Sequence, residues 1–152
     1  MSDLYFVDSN VLIYRHDRRS PLKQPVSERV LRSLWVRRAG RLSVQVLHEF
    51  YQVTTRKLAV PLTREAARQE LRLLERWKPT PLTRAVRESA WSIEDRFGLS
   101  WWDALVVGAA QLEGCRWLLS EDLQDGQELD GVVVMNPYAR SEVELSEHFG
   151  AS

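Results

Sequence analysis

Residues 4–14 read LYFVDSNVLIY. The apolar, β-favouring residues end at Asp8, and a helical pattern begins at the next residues, so we expect a strand over 4–8 followed by a short helix with Ser9 or Asn10 as its N-cap. An Asp at the carboxyl end of the first parallel strand points into the crevice where α/β sheets bind ligands. The stretch therefore predicts an α/β fold with Asp8 in the functional crevice.

The rest of the chain alternates between helical and strand-like patterns. Alternation of this kind indicates a mostly parallel sheet covered on both faces, and hence one three-layer α/β domain over 1–152 with a core at about 4–138 and an acidic, partly ordered tail at 139–152. Further strands are predicted at 41–44, 115–119 and 132–135, and further helices at 26–39 (closed by Gly40), 45–58, 63–77, 86–97 (ended by Gly98) and 100–112.

Composition fits a single folded domain. The 152 residues are 44% hydrophobic and include six Trp, which argues against disorder. No apolar stretch approaches the roughly 20 residues that cross a bilayer, and the N-terminus lacks the features of a signal peptide. The one cysteine, Cys115, lies in an apolar run and is expected to be a buried structural thiol, as suits a reducing cytoplasm. We therefore expect a cytoplasmic protein with no membrane contact.

The net charge is zero but unevenly distributed. Residues 1–57 hold 11 Lys and Arg against 5 Asp and Glu, a net of +6, whereas residues 113–152 hold 2 against 9, a net of −7. The basic cluster that includes Arg15, Arg18 and Arg19 can receive a phosphate backbone. A solvated helix face explains the same charges equally well.

Four acids occur in similar settings, beside apolar segments and away from basic residues. Carboxylates gathered without basic partners are costly unless they hold a cation. All-oxygen ligands suit Mg²⁺ or Mn²⁺, so one or two such ions and metal-assisted hydrolysis are the leading hypothesis. The four are Asp8, Glu49 in VLHEFYQ, Asp103 in SWWDALVVGAA and Asp122 in WLLSEDLQDG.

Each acid also has a purely structural interpretation. Asp8 can cap the helix that follows it, and Asp103 forms a capping-box pattern with Ser100. Glu49 lies off the main apolar stripe of its helix and so can be an ordinary exposed residue. Asp122 stands in a loop rich in acids, where solvation explains any single member. The joint pattern of the four carries the metal hypothesis.

At these motifs the chain resembles a PIN-domain protein, and within that family a VapC-type ribonuclease toxin of a VapBC toxin–antitoxin pair. The resemblance extends over residues 4–138 and rests on the order of VDSNVLIY, LHEFYQV, LSWWDALVVGAA and LLSEDLQDG. The family's acids fall on Asp8, Glu49, Asp103 and Asp122. Three further residues match positions of the family outside this set. Asn10 matches the polar residue that orders the first acid, and Ser120 matches a hydroxyl beside the ligands. Asp125 is a possible additional acid of uncertain role.

The resemblance implies a metal-dependent endoribonuclease whose metal-activated water cleaves RNA. The substrate would be a tRNA, rRNA or mRNA, with Arg15, Arg18 and Arg19 as candidate phosphate contacts. It also implies a homodimer that a small antitoxin wraps into a hetero-oligomer. The apolar faces of helices 26–39 and 45–58 are candidate docks for that antitoxin.

Two alternatives come from other functional classes. A non-catalytic PIN-like module would bind RNA or protein, although retention of all four acids argues against it. A haloacid-dehalogenase-like phosphatase also begins with an Asp at a strand end, but its motif needs a second Asp where Asn10 stands. Nucleotide-binding motifs rich in glycine do not occur.

Overall fold

The computed structural model describes residues 2–151, which form a five-stranded sheet flanked by helices. In chain order the strands are β1 (Tyr5–Val7), β2 (Gly40–Arg41), β3 (Trp117–Leu119), β4 (Glu128–Leu129) and β5 (Val132–Met135). The helices are α1 (Ser9–Tyr14), α2 (Gln24–Arg37), α3 (Val44–Arg56), α4 (Arg64–Leu74), α5 (Arg84–Phe97), α6 (Trp101–Leu112) and α7 (Glu142–Phe149), with 3-10 turns at Glu75–Trp77 and Pro137–Ala139. The predicted α/β class is confirmed.

The sheet is mostly parallel and has the strand order β2-β1-β3-β5-β4, in which only β4 and β5 pair antiparallel. Because β2 and β3 lie on opposite sides of β1, a crevice opens where the order reverses, at the carboxyl ends of β1 and β3. The register pairs Val7 with Leu119. Asp8 and Ser120, the residues that follow, therefore leave the sheet side by side.

Several helix ends form where the sequence predicts them. The hydroxyls of Thr63 and Ser100 cap α4 and α6 by accepting a hydrogen bond from the backbone N–H three residues later. Gly98 ends α5 with a φ of +67°. The two helices α5 and α6 then pack so closely that a Cβ on Gly108 would lie 3.0 Å from the Val86 carbonyl oxygen. This packing fixes α6, whose first turn carries Asp103.

The segment between α2 and α3 differs from the prediction. Helix α2 ends at Arg37, and its C-cap Arg38 takes the left-handed conformation with φ +56°. Gly40 belongs to β2 instead of closing the helix. A Cβ on Gly40 would meet the Trp77 ring at 2.4 Å, so close packing explains the glycine. The expected strand at 41–44 is shortened because Ser43 caps α3.

The C-terminal segment is ordered, in contrast to the partly ordered acidic tail that the sequence suggests. Ser141 and Glu144 form a complete capping box at the start of α7. The helix packs against α2, where the buried Arg29 donates hydrogen bonds to Glu142, Ser146 and the Gly150 carbonyl. The folded unit therefore extends well beyond residue 138. The β4 strand was also missed, because two residues carry too little pattern.

A hydrophobic cluster joins the sheet to the helices. Cys115 lies within it, and burial raises the pKa of its thiol to about 12, so the predicted buried structural thiol is confirmed. No helix within residues 2–151 combines the length and the apolar character needed to cross a membrane.

Candidate active site

Asp8 lies at the floor of the crevice, with 5% of its surface exposed. Its Oδ1 accepts a hydrogen bond from the Ser9 N–H at 2.8 Å, so Asp8 is itself the N-cap of α1, and the predicted caps at Ser9 or Asn10 are wrong. Its Oδ2 accepts a 2.7 Å hydrogen bond from the Ser120 hydroxyl. The structural interpretation of Asp8 as a helix cap is thus confirmed, and its metal-binding role stays a prediction.

Burial raises the pKa of Asp8 from its usual 3.8 to about 6. The hydrogen bonds from Ser120 and Ser9 oppose this rise, whereas the negative charges of Glu49 and Asp122 add to it. Among residues 2–151, no cationic side chain forms an ion pair with the Asp8 carboxylate. The crevice therefore holds Asp8 in a setting that disfavours its charge.

Asn10 and Ser120 connect Asp8 to Asp122. The Asn10 Nδ2 lies 3.3 Å from Asp8 Oδ2, 3.2 Å from Ser120 Oγ and 3.1 Å from Asp122 Oδ2. Ser120 Oγ also accepts a hydrogen bond from the Asp122 N–H at 3.1 Å. On the other side, the Asn10 Oδ1 accepts from the Glu121 N–H at 3.3 Å. These contacts hold the loop after β3 against the start of α1.

Glu49 is held from two sides by Ser9 and Gln45, neither of which the sequence analysis predicted as its partner. Ser9 Oγ donates to Glu49 Oε2 at 2.8 Å, and Gln45 Nε2 donates to Glu49 Oε1 at 3.1 Å. Both donors are buried. Gln45 had a detectable signal, since a Gln four residues before a Glu lies on the same face of a helix. Ser9 had none beyond its place next to Asp8.

Asp103 lies in the first turn of α6, across from Glu49. The Gln45 Nε2 donates to the carbonyl oxygen of Trp102, the preceding residue, at 3.2 Å. The Asp103 N–H donates to Ser100 Oγ at 3.2 Å, which is one half of a capping box. Within residues 2–151 the carboxylate itself has no hydrogen-bond partner. Capping therefore occupies the backbone of Asp103 and leaves its side chain free.

The four acids share an absence of basic partners. In the part of the chain that the structure describes, none of them lies within 4.0 Å of a Lys, Arg or His nitrogen. As the side chains are oriented, no three His, Cys, Asp or Glu among residues 2–151 form a group that can hold a metal ion. Polar bridging residues connect the acids in the order Asp122, Asp8, Glu49 and the α6 turn of Asp103.

The sequence of the chain matches a known family. The profile of the PIN domain matches residues 5–125, most of the chain and all four acids. The chain belongs to the PIN domain family. This agrees with the resemblance that the sequence motifs indicate.

Solved structures of similar fold are toxins of toxin–antitoxin systems. The VapC20 toxin of Mycobacterium tuberculosis, described as cleaving the sarcin–ricin loop, is 21% identical, with a TM-score of 0.57 over 78% of this chain and 91% of that one. A toxin–antitoxin complex from Klebsiella pneumoniae is 18% identical, with a TM-score of 0.55 over 88% and 98%. VapBC2 from Rickettsia felis, bound to a DNA fragment of its promoter, is 13% identical, with a TM-score of 0.58 over 88% and 98%. No curated protein matches the sequence.

The three arginines that are candidate phosphate contacts differ in their surroundings. Arg15 pairs with Glu28 at 3.0 Å and contacts Glu70 at 3.5 Å, whereas Arg18 and Arg19 are exposed. Of these three arginines, Arg18 and Arg19 form no ion pair within residues 2–151, so their guanidinium groups can contact a ligand without first breaking one.

Asp125 makes contacts of a structural kind. Its Oδ1 accepts hydrogen bonds from the Asn136 N–H at 2.9 Å and from the Arg140 guanidinium at 2.5 Å. None of the hydrogen bonds of Asp125 reaches the four acids. These contacts tie the loop after β3 to the end of β5.

Proposed function

We propose that this PIN domain is a metal-dependent endoribonuclease that acts as the toxin of a toxin–antitoxin pair. The observation that carries the proposal is the connected series of four acids without a basic partner, at the switch point of the sheet. Membership of the PIN family and the fold shared with VapC toxins support it.

The chemistry of the donor set fits a hard divalent cation. The carboxylates of Asp8, Glu49, Asp103 and Asp122 supply only oxygen ligands, and their charges lack a protein counter-charge. These four would hold one or two Mg²⁺ or Mn²⁺ ions. A bound ion would lower the pKa of a water molecule and offset the charge that develops on the scissile phosphate.

The residues between the acids have an orienting role in this proposal. Ser120 and Asn10 hold the Asp8 carboxylate and the Asp122 side chain in one hydrogen-bond network. Ser9 donates to Glu49 and, through its backbone, to Asp8. Orienting partners of this kind commonly affect metal affinity or activity by a factor of about 10 to 100.

The substrate class in this proposal is a structured RNA such as a tRNA, rRNA or mRNA. The exposed Arg18 and Arg19 follow α1, the helix that Asp8 caps, and are suited to contact phosphates near the crevice. Such contacts should make binding weaker as the salt concentration rises.

The partner in this proposal is a small antitoxin. An apolar groove of about 270 Å³ lies between α2 and α4, lined in part by Leu31, Trp35, Val36 and Leu73. Its exposed side chains make it a more suitable dock than α3, whose apolar face is buried.

A Val36→Asp variant should escape inhibition by the antitoxin and cleave normally without it. Retained inhibition would exclude this groove. Sedimentation velocity would test the expected homodimer.

RNA cleavage tests the nuclease proposal directly. Purified protein is incubated with labelled total RNA in Mn²⁺ or EDTA, beside the variants Asp8→Asn and Asp95→Asn. Asp95 is an exposed acid on α5 and provides a matched control. Discrete fragments should require Mn²⁺, vanish with Asp8→Asn and persist with Asp95→Asn. RNA binding without cleavage by the wild type would favour the non-catalytic module.

Thermal unfolding provides a second test that needs no substrate. Mn²⁺ at a hundredfold excess over its Kd should stabilise the wild type by about 2.7 kcal/mol, because it binds only the folded state. Asp8→Asn should lose most of this stabilisation, whereas Asp95→Asn should retain it. An unchanged melting temperature of the wild type at saturating Mn²⁺ would argue against the metal site.

A further inference from the structure

Gln45 joins two of the acid-bearing helices. It lies one helical turn before Glu49 on α3, and its Nε2 donates both to Glu49 Oε1 at 3.1 Å and to the Trp102 carbonyl on α6 at 3.2 Å. Only 6% of its surface is exposed. The Gln45 amide is therefore the one direct side-chain link, within residues 2–151, between the Glu49 carboxylate and the helix turn that carries Asp103.

The other end of this amide has no partner. Gln45 Oε1 is buried and accepts no hydrogen bond from the described residues. Leaving a buried acceptor unpaired costs folding free energy. The amide cannot avoid this cost by flipping, because both atoms near its Nε2 are acceptors and would repel the oxygen. Its orientation is thus decided by the two acceptors it serves.

We propose that Gln45 is a positioning residue that sets the place of the Glu49 carboxylate relative to the first turn of α6. This inference deepens the proposed nuclease function and rests on it for its effect on activity. Ser9 donates a hydrogen bond to one oxygen of Glu49 and Gln45 donates to the other. Two donors from different parts of the chain therefore define the position of the carboxylate. A glutamate has three flexible side-chain torsions, which these donors restrict.

The burial of Gln45 distinguishes this role from ordinary surface hydrogen bonding. A neutral apolar side chain of similar length would fill the same space and remove the unpaired oxygen. The glutamine instead donates hydrogen bonds from its amide to Glu49 and to the Trp102 carbonyl, as orientation of Glu49 requires. The unpaired oxygen of Gln45 lowers the free energy of unfolding, while its amide nitrogen orients the Glu49 carboxylate.

The test compares the wild type with Gln45→Met, which keeps the length of the side chain and removes its donors. Gln52→Met is the matched control, since Gln52 lies on the same helix and is exposed. Four measurements are made on each: melting temperature without metal, Kd for Mn²⁺ by calorimetry, kcat and KM on RNA, and a crystal structure. Gln45→Leu provides the same comparison if the Met variant does not fold.

The proposal expects a loss of function with little change in stability. Gln45→Met should melt within a few degrees of the wild type, bind Mn²⁺ about tenfold more weakly and lose at least about tenfold in kcat with an unchanged KM. Its Glu49 carboxylate should move by about 1 Å or more. Gln52→Met should match the wild type throughout. A lower melting temperature with unchanged Kd, kcat and Glu49 position would overturn the proposal.

Failure of the proposed nuclease function can be distinguished from failure of the positioning role of Gln45. If the wild type neither binds Mn²⁺ nor cleaves RNA, the proposed function is wrong. The crystal structures of the wild type and of Gln45→Met then still decide the role of Gln45. A displaced Glu49 supports the positioning role, and an unmoved Glu49 excludes it.

Discussion

Acids occur in two contrasting regions of this molecule. On α7, Glu142 receives two 2.9 Å hydrogen bonds from the buried guanidinium of Arg29, which also binds the Gly150 carbonyl. In the crevice, Asp8 is buried, and its neighbours are hydroxyls, an amide and other acids. One region neutralises its negative charge and the other does not.

The same contrast appears between two consecutive residues. Glu121 pairs with Lys23 at 2.8 Å, whereas Asp122 contacts the Asn10 amide and no basic residue among residues 2–151. Cations are therefore available near the crevice but are bound to acids outside the series. The fold thus uses paired acids to attach one element to another and keeps unpaired acids at the proposed active site, where burial of Asp8 without a counter-charge lowers stability.

The largest expected effect concerns an unpaired acid. Asp103→Asn should reduce kcat for RNA cleavage by about a thousandfold or more, because it removes a proposed metal ligand. The melting temperature should change little, since the Ser100 cap accepts from the backbone of residue 103 and Asn retains that N–H. Single-turnover cleavage and thermal unfolding measure the two effects. Loss of the fold would instead support a purely structural role for Asp103.

Burial of the unpaired Asp8 should make the free energy of unfolding depend on pH. Because burial raises the pKa of Asp8 to about 6, the folded state binds more protons than the unfolded state between about pH 4 and pH 6. The unfolding free energy should therefore fall as the pH rises through this window, by up to about 3 kcal/mol from Asp8 alone.

Urea unfolding without divalent ions, at several pH values, measures this effect as the difference between the wild type and Asp8→Asn. The variant cannot ionise at residue 8, so it should gain stability relative to the wild type as the pH rises. Parallel curves for the two proteins would show that Asp8 ionises as easily in the folded state as in the unfolded state.

The paired region should respond in the opposite way. Arg29→Met should lower the unfolding free energy by about 2 kcal/mol, because it removes the charge-assisted hydrogen bonds that the buried guanidinium donates to the Gly150 carbonyl and to Ser146. The ion pair adds little to this figure, since Glu142 is 68% exposed. Urea unfolding gives the free energy, and cleavage per folded molecule should stay at the wild-type rate. A loss of activity in the folded variant would link α7 to the crevice.

The smallest effect is expected at the start of α7. Ser141→Ala should cost about 1 kcal/mol of stability, because it removes the hydroxyl of the capping box. Hydrogen exchange should show faster opening of α7, with protection of β1 and β3 unchanged. Equal loss of protection in the sheet would mean that the C-terminal helix unfolds only together with the core.

Much of the fold could be predicted from local pattern. The caps at Thr63 and Ser100 and the glycine end of α5 depend on residues within one helical turn, so the sequence contains the whole signal. The end of α2 could not be predicted, because Arg38 adopts a positive φ there and Gly40 is required for packing against Trp77. The metal-binding role of the four acids stays a prediction.

The sequence by itself determined the strand-helix alternation, the α/β class and the four acids at the ends or beginnings of elements, because side-chain periodicity and capping act over a few residues. Only the tertiary structure decided how those acids are held. Ser9 meets Glu49, Asn10 meets Asp122 and Gln45 meets the α6 turn across 40, 112 and 57 residues of chain. A hydrogen bond between such distant residues depends on where whole helices and strands pack, and no local pattern specifies that.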